Sequence, residues 1–147
     1  MPVSLRCQQL ISAAVRHVRD AEGLLRAGHS QSIDQAHHLA GFGPECARKA
    51  CLSGQWADKA AGHGFGPAAD EVIEVALALD ASARRYLLTG LLSEAPALAS
   101  WSPNVRYNAT GTAETTETKA LVEQSRALVD RIVLALWADG ELVEVVG

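Results

Sequence analysis

Cys7, Ile11, Ala14, Val18, Ala21 and Leu25 follow one another at intervals of 4, 3, 4, 3 and 4 residues. Only a helix, with about 3.6 residues per turn, gathers such positions onto one face. Arg6, Arg16, Arg19 and Asp20 fall mostly off that face. A long helix with one apolar stripe must be covered by other elements, so it commits the chain to layers packed around a shared core. Alanine, the strongest helix former, occurs 26 times and aromatics make up 5% of the residues. Sheet cores usually draw on aromatic and β-branched side chains, so the covering elements are expected to be helices as well. The 147 residues suffice for one core and not for two. The expectation is therefore one all-α domain over 1–147, an up-and-down bundle of four to five helices.

Local signals divide the chain. Ala27-Gly28-His29 ends the first helix with a glycine free to take positive φ. Ser32 and Gln35 have the spacing of a capping box for a second helix that carries Ile33, Ala36 and Ala40. Gly41-Phe42-Gly43-Pro44 interrupts it, because Pro44 cannot donate to the carbonyl of Ala40, and helical pattern resumes over Glu45–Leu52. A glycine-rich connection, 53–67, holds four of the 12 glycines. Pro67 suits the first position of the next helix, with Asp70 and Glu71 near its positive end. Asp80 is expected to cap a further stretch through Ala81 to Leu92. A threonine cluster leads into a last helix ending near Asp139-Gly140. The apolar tail, 141–147, either frays or docks.

Charge narrows the function. The net charge is −4, distributed as +2 over 1–60, −2 over 61–112 and −4 over 113–147. Dedicated nucleic-acid binders are usually basic, so no strong nucleic-acid signature is present. Apolar runs are too short for a membrane span, and the arginine-interrupted N-terminus is not a secretory signal. Three cysteines suit a reducing cytoplasm better than a disulfide framework.

The catalytic templates for phosphate loops and nucleophile elbows are absent. Gly62-His63-Gly64-Phe65-Gly66 resembles a phosphate loop superficially, without its strand or lysine. Asp34, His37 and His38 lie at i, i+3 and i+4, the chain's one carboxylate-x-x-His spacing and a weak metal candidate; a solvated face with one partly buried histidine is the simpler account. Cys46 and Cys51 lack C-x-x-C spacing and read as small core residues. Glu45 and Lys49 form an i, i+4 pair in the favourable order. The small apolar neighbours Cys46, Ala47 and Ala50 imply that part of this face is buried, where a carboxylate needs donors. Arg106, in Trp101-Ser-Pro-Asn-Val-Arg106-Tyr107, is a candidate partner for Glu45.

Those segments, the helix with LAGFGPECARKA, the GHGFGP loop followed by an acidic residue, and the W…VRY loop before a long final helix, resemble the HEPN superfamily (higher eukaryotes and prokaryotes nucleotide-binding domains) over roughly Arg16 to Leu136. The resemblance implies a four- or five-helix bundle, often a homodimer, in bacteria often encoded beside a nucleotidyltransferase. It also implies that many relatives are metal-independent RNases of toxin–antitoxin and defence systems. Those RNases carry Arg, four to six residues, then His, and no histidine here has an arginine at that distance before it. Arg84-Arg85 and Arg106 are followed by no imidazole at that spacing, so fold and dimerisation carry over and nuclease activity does not.

Three readings follow. In the first, a non-catalytic bundle in a toxin–antitoxin, defence or biosynthetic setting binds a partner protein, nucleotide or other small ligand. Glu45, Lys49, His63, Arg85, Trp101, Arg106 and Tyr107 line or brace its site, although buried ion pairs also serve only to fix helix register. In the second, His63 with His37 or His38 and Glu45 forms an acid/base or single-metal site, walled by Trp56 and Trp101; the simpler alternative is an exposed histidine in a connector. The third is an RNase dependent on Arg85 or Arg106. No cofactor is named by any motif.

Overall fold

The computed structural model describes residues 4–53, 59–60 and 62–143. Among the described residues the protein is all α, with five helices of nine residues or more and no strand. These are α1 (Leu5–Ala27), α2 (Ser30–Ala40), α3 (Phe42–Ala50), α4 (Pro67–Leu79) and, after a single turn α5 (Leu91–Glu94), α6 (Thr115–Ala138). Short 3-10 turns occupy Ala81–Tyr86, Pro96–Ser100 and Pro103–Tyr107.

The stripe of α1 is the spine of the core: Cys7, Ile11, Ala14, Val18 and Ala21 are buried, and Leu25 packs partly against them. Gly28 ends the helix at φ 75, a left-handed conformation that glycine takes without steric cost. α1 packs against α2, α3 and α6, and α6 also touches α2 and α3. The α6 face consists of Leu121, Leu128, Val129, Ile132 and Leu136, each no more than 2% exposed. Ion pairs brace this frame from outside. Arg126 joins Glu22 of α1 at 2.6 Å, and Arg131 joins Glu94 of α5 at 2.6 Å.

α2 breaks at Gly41 and α3 restarts with Pro44 in its first turn, where the missing N–H is no loss. Pro67 opens α4 with Asp70 in its first turn. One cap and one boundary differ from expectation. α2 begins at Ser30, within the expected Ser30–Ser32 start, but with His29 as its cap residue and no side-chain cap, so the Ser32–Gln35 capping box does not form. Gln35 Oε1 instead faces His38 Nδ1 at 3.4 Å. Asp80 does not cap a helix to Leu92: a 3-10 turn ends at Leu87, whose φ of 53 is left-handed. The Asp80 carboxylate accepts from Ser53 at 3.0 Å and Ser82 at 2.7 Å. Meanwhile Arg131 donates to the carbonyls of Tyr86 at 2.7 Å and Leu87 at 3.0 Å, a tertiary clamp that no local pattern announces. In the tail Leu142 is buried and Val143 is 65% exposed; residues 144–147 lie outside the described residues. No helix among the described residues is long and apolar enough to cross a membrane.

Candidate functional site

The residues that matter converge on the first turn of α3. Glu45 sits there, 3% exposed, with its carboxylate near the positive end of the helix. One oxygen, Oε1, meets two cation-forming groups. Lys49 Nζ donates to it at 2.6 Å from one turn on, and His63 Nδ1 lies 2.7 Å away from the glycine loop. The other oxygen, Oε2, is buried with no hydrogen-bond partner. A carboxylate can only accept, so Nδ1 is the donor of this bond, and whenever the ring is neutral Nε2 carries the lone pair. The His63 side chain is 54% exposed, so a buried acid orients an accessible imidazole. That is the arrangement of a base and its orienting group.

Arg48, fully buried, holds the loop in place. Its Nη2 donates to the Gly64 carbonyl at 2.7 Å and its guanidinium lies 4.7 Å from the Phe65 ring centroid. Both contacts fall on the two residues after His63. Its Nε and Nη1 have no partners, and burial pulls its pKa below the usual arginine value. Arg48 is not among the site residues expected from the sequence. The signal was available, since Pro44, Ala47, Arg48 and Cys51 share one helical face and all are buried.

An aromatic wall flanks the dyad. Phe42 has ring centroids at 5.0 Å from Trp101, 5.3 Å from His38, 5.7 Å from His17 and 6.3 Å from His63. Trp101 is buried and its Nε1 donates to the His38 carbonyl at 2.9 Å, satisfying an acceptor in the last turn of α2. The indole lies flat on Gly41, where a Cβ would come within 2.1 Å of it. The break between α2 and α3 therefore needs glycine for space, and that space is where Trp101 sits.

Desolvation dominates the electrostatics of this region. Burial lowers the His17 pKa, with Arg16 pushing the same way, and burial lowers that of His38, reinforced by Arg106 and His17. Burial, with Glu45 next, pushes the Cys46 thiol up to about 11, far from a reactive thiolate.

Other expected residues part company with this cluster. Arg106 does not pair with Glu45, whose Oε1 is already taken by Lys49 and His63; its guanidinium lies 4.8 Å from the Tyr107 ring centroid, and Tyr107 is 73% exposed. Arg85 pairs with Asp139 at 2.7 Å and lies over Tyr86, beside a separate cavity of about 250 Å³ that Cys7, Cys51 and Asp80 also line. Asp34 accepts from the backbone N–H of Gly111 at 2.6 Å and Ala113 at 2.9 Å, pinning the loop before α6. His37 is buried with Nδ1 3.1 Å from Thr118 Oγ1, and so does not join His63. Asp34, His37 and His38 thus serve different neighbours. Among the described residues no group of three or more His, Cys, Asp or Glu is arranged to hold a metal ion. Trp56 lies outside the described residues.

Set against protein-family models, curated proteins and solved structures, the chain matches none of them.

Proposed function

We propose that the protein is a small-ligand-binding helical bundle whose site is the Glu45–His63–Lys49 cluster beneath Phe42 and Trp101. The observation that carries the reading is the shared oxygen: buried Glu45 Oε1 receives Lys49 at 2.6 Å and His63 at 2.7 Å while Oε2 goes unpartnered. Burying a carboxylate costs several kcal/mol, of order 3–5 if its partners are removed. A purely structural acid would use both oxygens and would gain little from an imidazole that is half in solvent. Here the imidazole is 54% exposed, on a loop latched at two points by Arg48.

The HEPN-like, up-and-down arrangement and the homodimer belong to the same proposal, together with a nucleotidyltransferase-type or other protein partner. The all-α architecture and the long closing helix α6 support them. A cytoplasmic location is likewise proposed, supported by three free cysteines, of which Cys7 and Cys51 are buried.

The hydrogen bond from His63 to Glu45 also favours a second reading, in which His63 is a general base and Glu45 its orienting acid. RNase chemistry gains no comparable support, because Arg85 is ion-paired elsewhere and Arg106 stacks on its own neighbour.

A native mass spectrum of the untagged protein, gently purified from cells, tests the proposal. The wild type should carry a stoichiometric adduct that His63→Ala and Glu45→Gln both lose. A bare wild-type protein, or an adduct that both variants keep, would contradict it. Release of an altered mass on incubation, abolished by His63→Ala, would move the assignment to the enzyme reading.

A further inference from the structure

A cavity of about 160 Å³ is walled by α2, the Pro103–Tyr107 turn and the first turn of α6. It shares no lining residue with the Glu45–His63–Lys49 cluster and is independent of it. Asp34 and His37, one turn apart on α2, come together there with Glu117 of α6, while Val105 and Ala113 supply an apolar wall and Asn108 an amide. His37 is 8% exposed, whereas Glu117 and Asn108 are exposed, so the cavity has a buried floor and an open rim. Asp34 is fixed in place: its two oxygens accept from the Gly111 and Ala113 N–H groups at 2.6 and 2.9 Å, and each keeps a lone pair to spare. Glu117 has no hydrogen bond and no ion pair among the described residues. His37 Nδ1 lies 3.1 Å from Thr118 Oγ1, and its Nε2 has no hydrogen-bond partner among the described residues. Burial lowers the His37 pKa against the opposing pull of Glu117 and Asp34, so the ring is neutral near pH 7. No cationic side chain lines the cavity. Arg106 has its guanidinium 4.8 Å from the Tyr107 ring centroid, and Lys119 lines a separate cleft with Leu25 and Arg26. The positive end of α6 contributes about half a charge against two carboxylates, so the cavity stays negative and rich in acceptors.

We propose that this cavity binds a small alkylammonium ion, a protonated primary amine, through the carboxylates of Asp34 and Glu117 and Nε2 of His37. A primary ammonium has three N–H donors and no acceptor. The cavity offers it a carboxylate with lone pairs to spare, a carboxylate with no partner and an imidazole nitrogen, and bonds to ionised acceptors are the stronger ones. Nε2 accepts when Nδ1 carries the proton, which Thr118 Oγ1 is able to receive. A bare metal ion fits less well. It needs nitrogen and oxygen ligands at about 2.0–2.2 Å, and among the described residues no three His, Cys, Asp or Glu are so arranged. The alkyl end of the ligand rests on Val105 and Ala113. A cavity of about 150 Å³ takes up benzene, so an amine of roughly three to five heavy atoms is of the right size.

The test is a titration of the full chain with ethylammonium chloride, followed through the imidazole resonances, with sodium chloride and tetramethylammonium chloride at matched ionic strength. Ethylammonium should shift the His37 ring nitrogens saturably, with a dissociation constant on the order of 1 mM for so few atoms, and leave His63 unmoved. Sodium and tetramethylammonium, which have no N–H to donate, should produce no such shift. Glu117→Gln should weaken binding roughly ten-fold, the factor carried by one charge-assisted hydrogen bond. Its circular dichroism should be unchanged, because Glu117 is exposed and makes no hydrogen bond among the described residues. Glu123→Gln, at an exposed acid of α6 outside the cavity, should bind as the wild type does. A cavity that takes up only water would give no saturable shift, and that result would overturn the proposal. So would equal responses to ethylammonium and tetramethylammonium, or a Glu117→Gln variant with unaltered affinity.

Discussion

Gly41→Ala is the substitution whose consequence the structure specifies most closely. An added Cβ would lie 2.1 Å from Cδ2, 2.2 Å from Cε2 and 2.5 Å from Cγ of Trp101. Carbon atoms rest at about 3.5–4.0 Å, so the indole must retreat by more than an ångström. It has nowhere inward to go: Trp101 is 6% exposed, bonded to the His38 carbonyl at 2.9 Å and packed on Phe42 and Phe65 at 5.0 and 6.0 Å. Overpacking costs about 1–3 kcal/mol, and outright loss of a buried tryptophan about 3–5. Gly41 already has φ −72 and ψ −21, so alanine regains about 0.4–1 kcal/mol through the unfolded chain. With the indole driven from its pocket, the net expectation is a destabilisation of about 2–4 kcal/mol. Urea unfolding followed by circular dichroism measures it, and Trp101 emission, isolated by Trp56→Phe and Trp137→Phe, reports the displaced ring. In a double-mutant cycle Gly41→Ala should cost little on top of Trp101→Ala, because the clash is gone. An unfolding free energy within half a kcal/mol of wild type, with Trp101 emission unmoved, would refute the reasoning.

Other expectations follow from the same geometry. Gly43→Ala would place a Cβ 2.5 Å from Val18 Cγ2 and 3.3 Å from Val129 Cγ2, where α3 crosses α1 and α6; it should lose about 1–3 kcal/mol in denaturant titrations, and a neutral result would mean that the helices separate freely. His17, His37 and His38 have native pKa values lowered below 6.5 by burial, so the unfolded chain binds more protons below that pH. Their contribution to stability is therefore complete above pH 6.5 and lost as pH falls through the native values; equal melting temperatures at pH 7.5 and pH 5.5 in a His17→Gln/His37→Gln/His38→Gln variant and in wild type would contradict this. Leu87 is 65% exposed in a left-handed conformation, so Leu87→Asn should gain about 0.5–1 kcal/mol in urea; a loss would mean that the Leu87 side chain has a packing role. Native thiols should react slowly with a disulfide reagent at pH 8, since burial raises all three and takes Cys46 to about 11; fast stoichiometric labelling of the folded protein would count against it.

The helices were legible because their signals are local. The α1 stripe, the Gly28 stop, the break before Pro44 and the start at Pro67 each depend on residues within a few positions of one another. The boundary that differed was decided at a distance, since Leu87 is held by Arg131, 44 residues away. The expected Ser32 cap lost to a local competitor, Gln35 serving His38 three residues on. At the site, the i, i+4 spacing announced Lys49 on Glu45, and the glycine loop drew attention to His63. Their meeting on one oxygen spans 18 positions and required the fold. The same long reach explains the Arg106 misassignment: a single buried carboxylate was legible, but not that closer donors would fill it. Arg48 was missed for a different reason. A charged residue on an apolar stripe looks like an interruption until its one hydrogen bond to Gly64 shows what it holds.

The claim on which the functional account depends is that buried Glu45 fixes the orientation and tautomer of an accessible His63. Long-range proton–nitrogen NMR of the imidazole tests it directly, in wild type and in Glu45→Gln. The account predicts a hydrogen-bonded proton on Nδ1 and a bare Nε2 in the wild type, with that signature lost or averaged in the variant. A His63 ring with the same tautomer mixture in both proteins, exchanging as a free surface imidazole does, would contradict it.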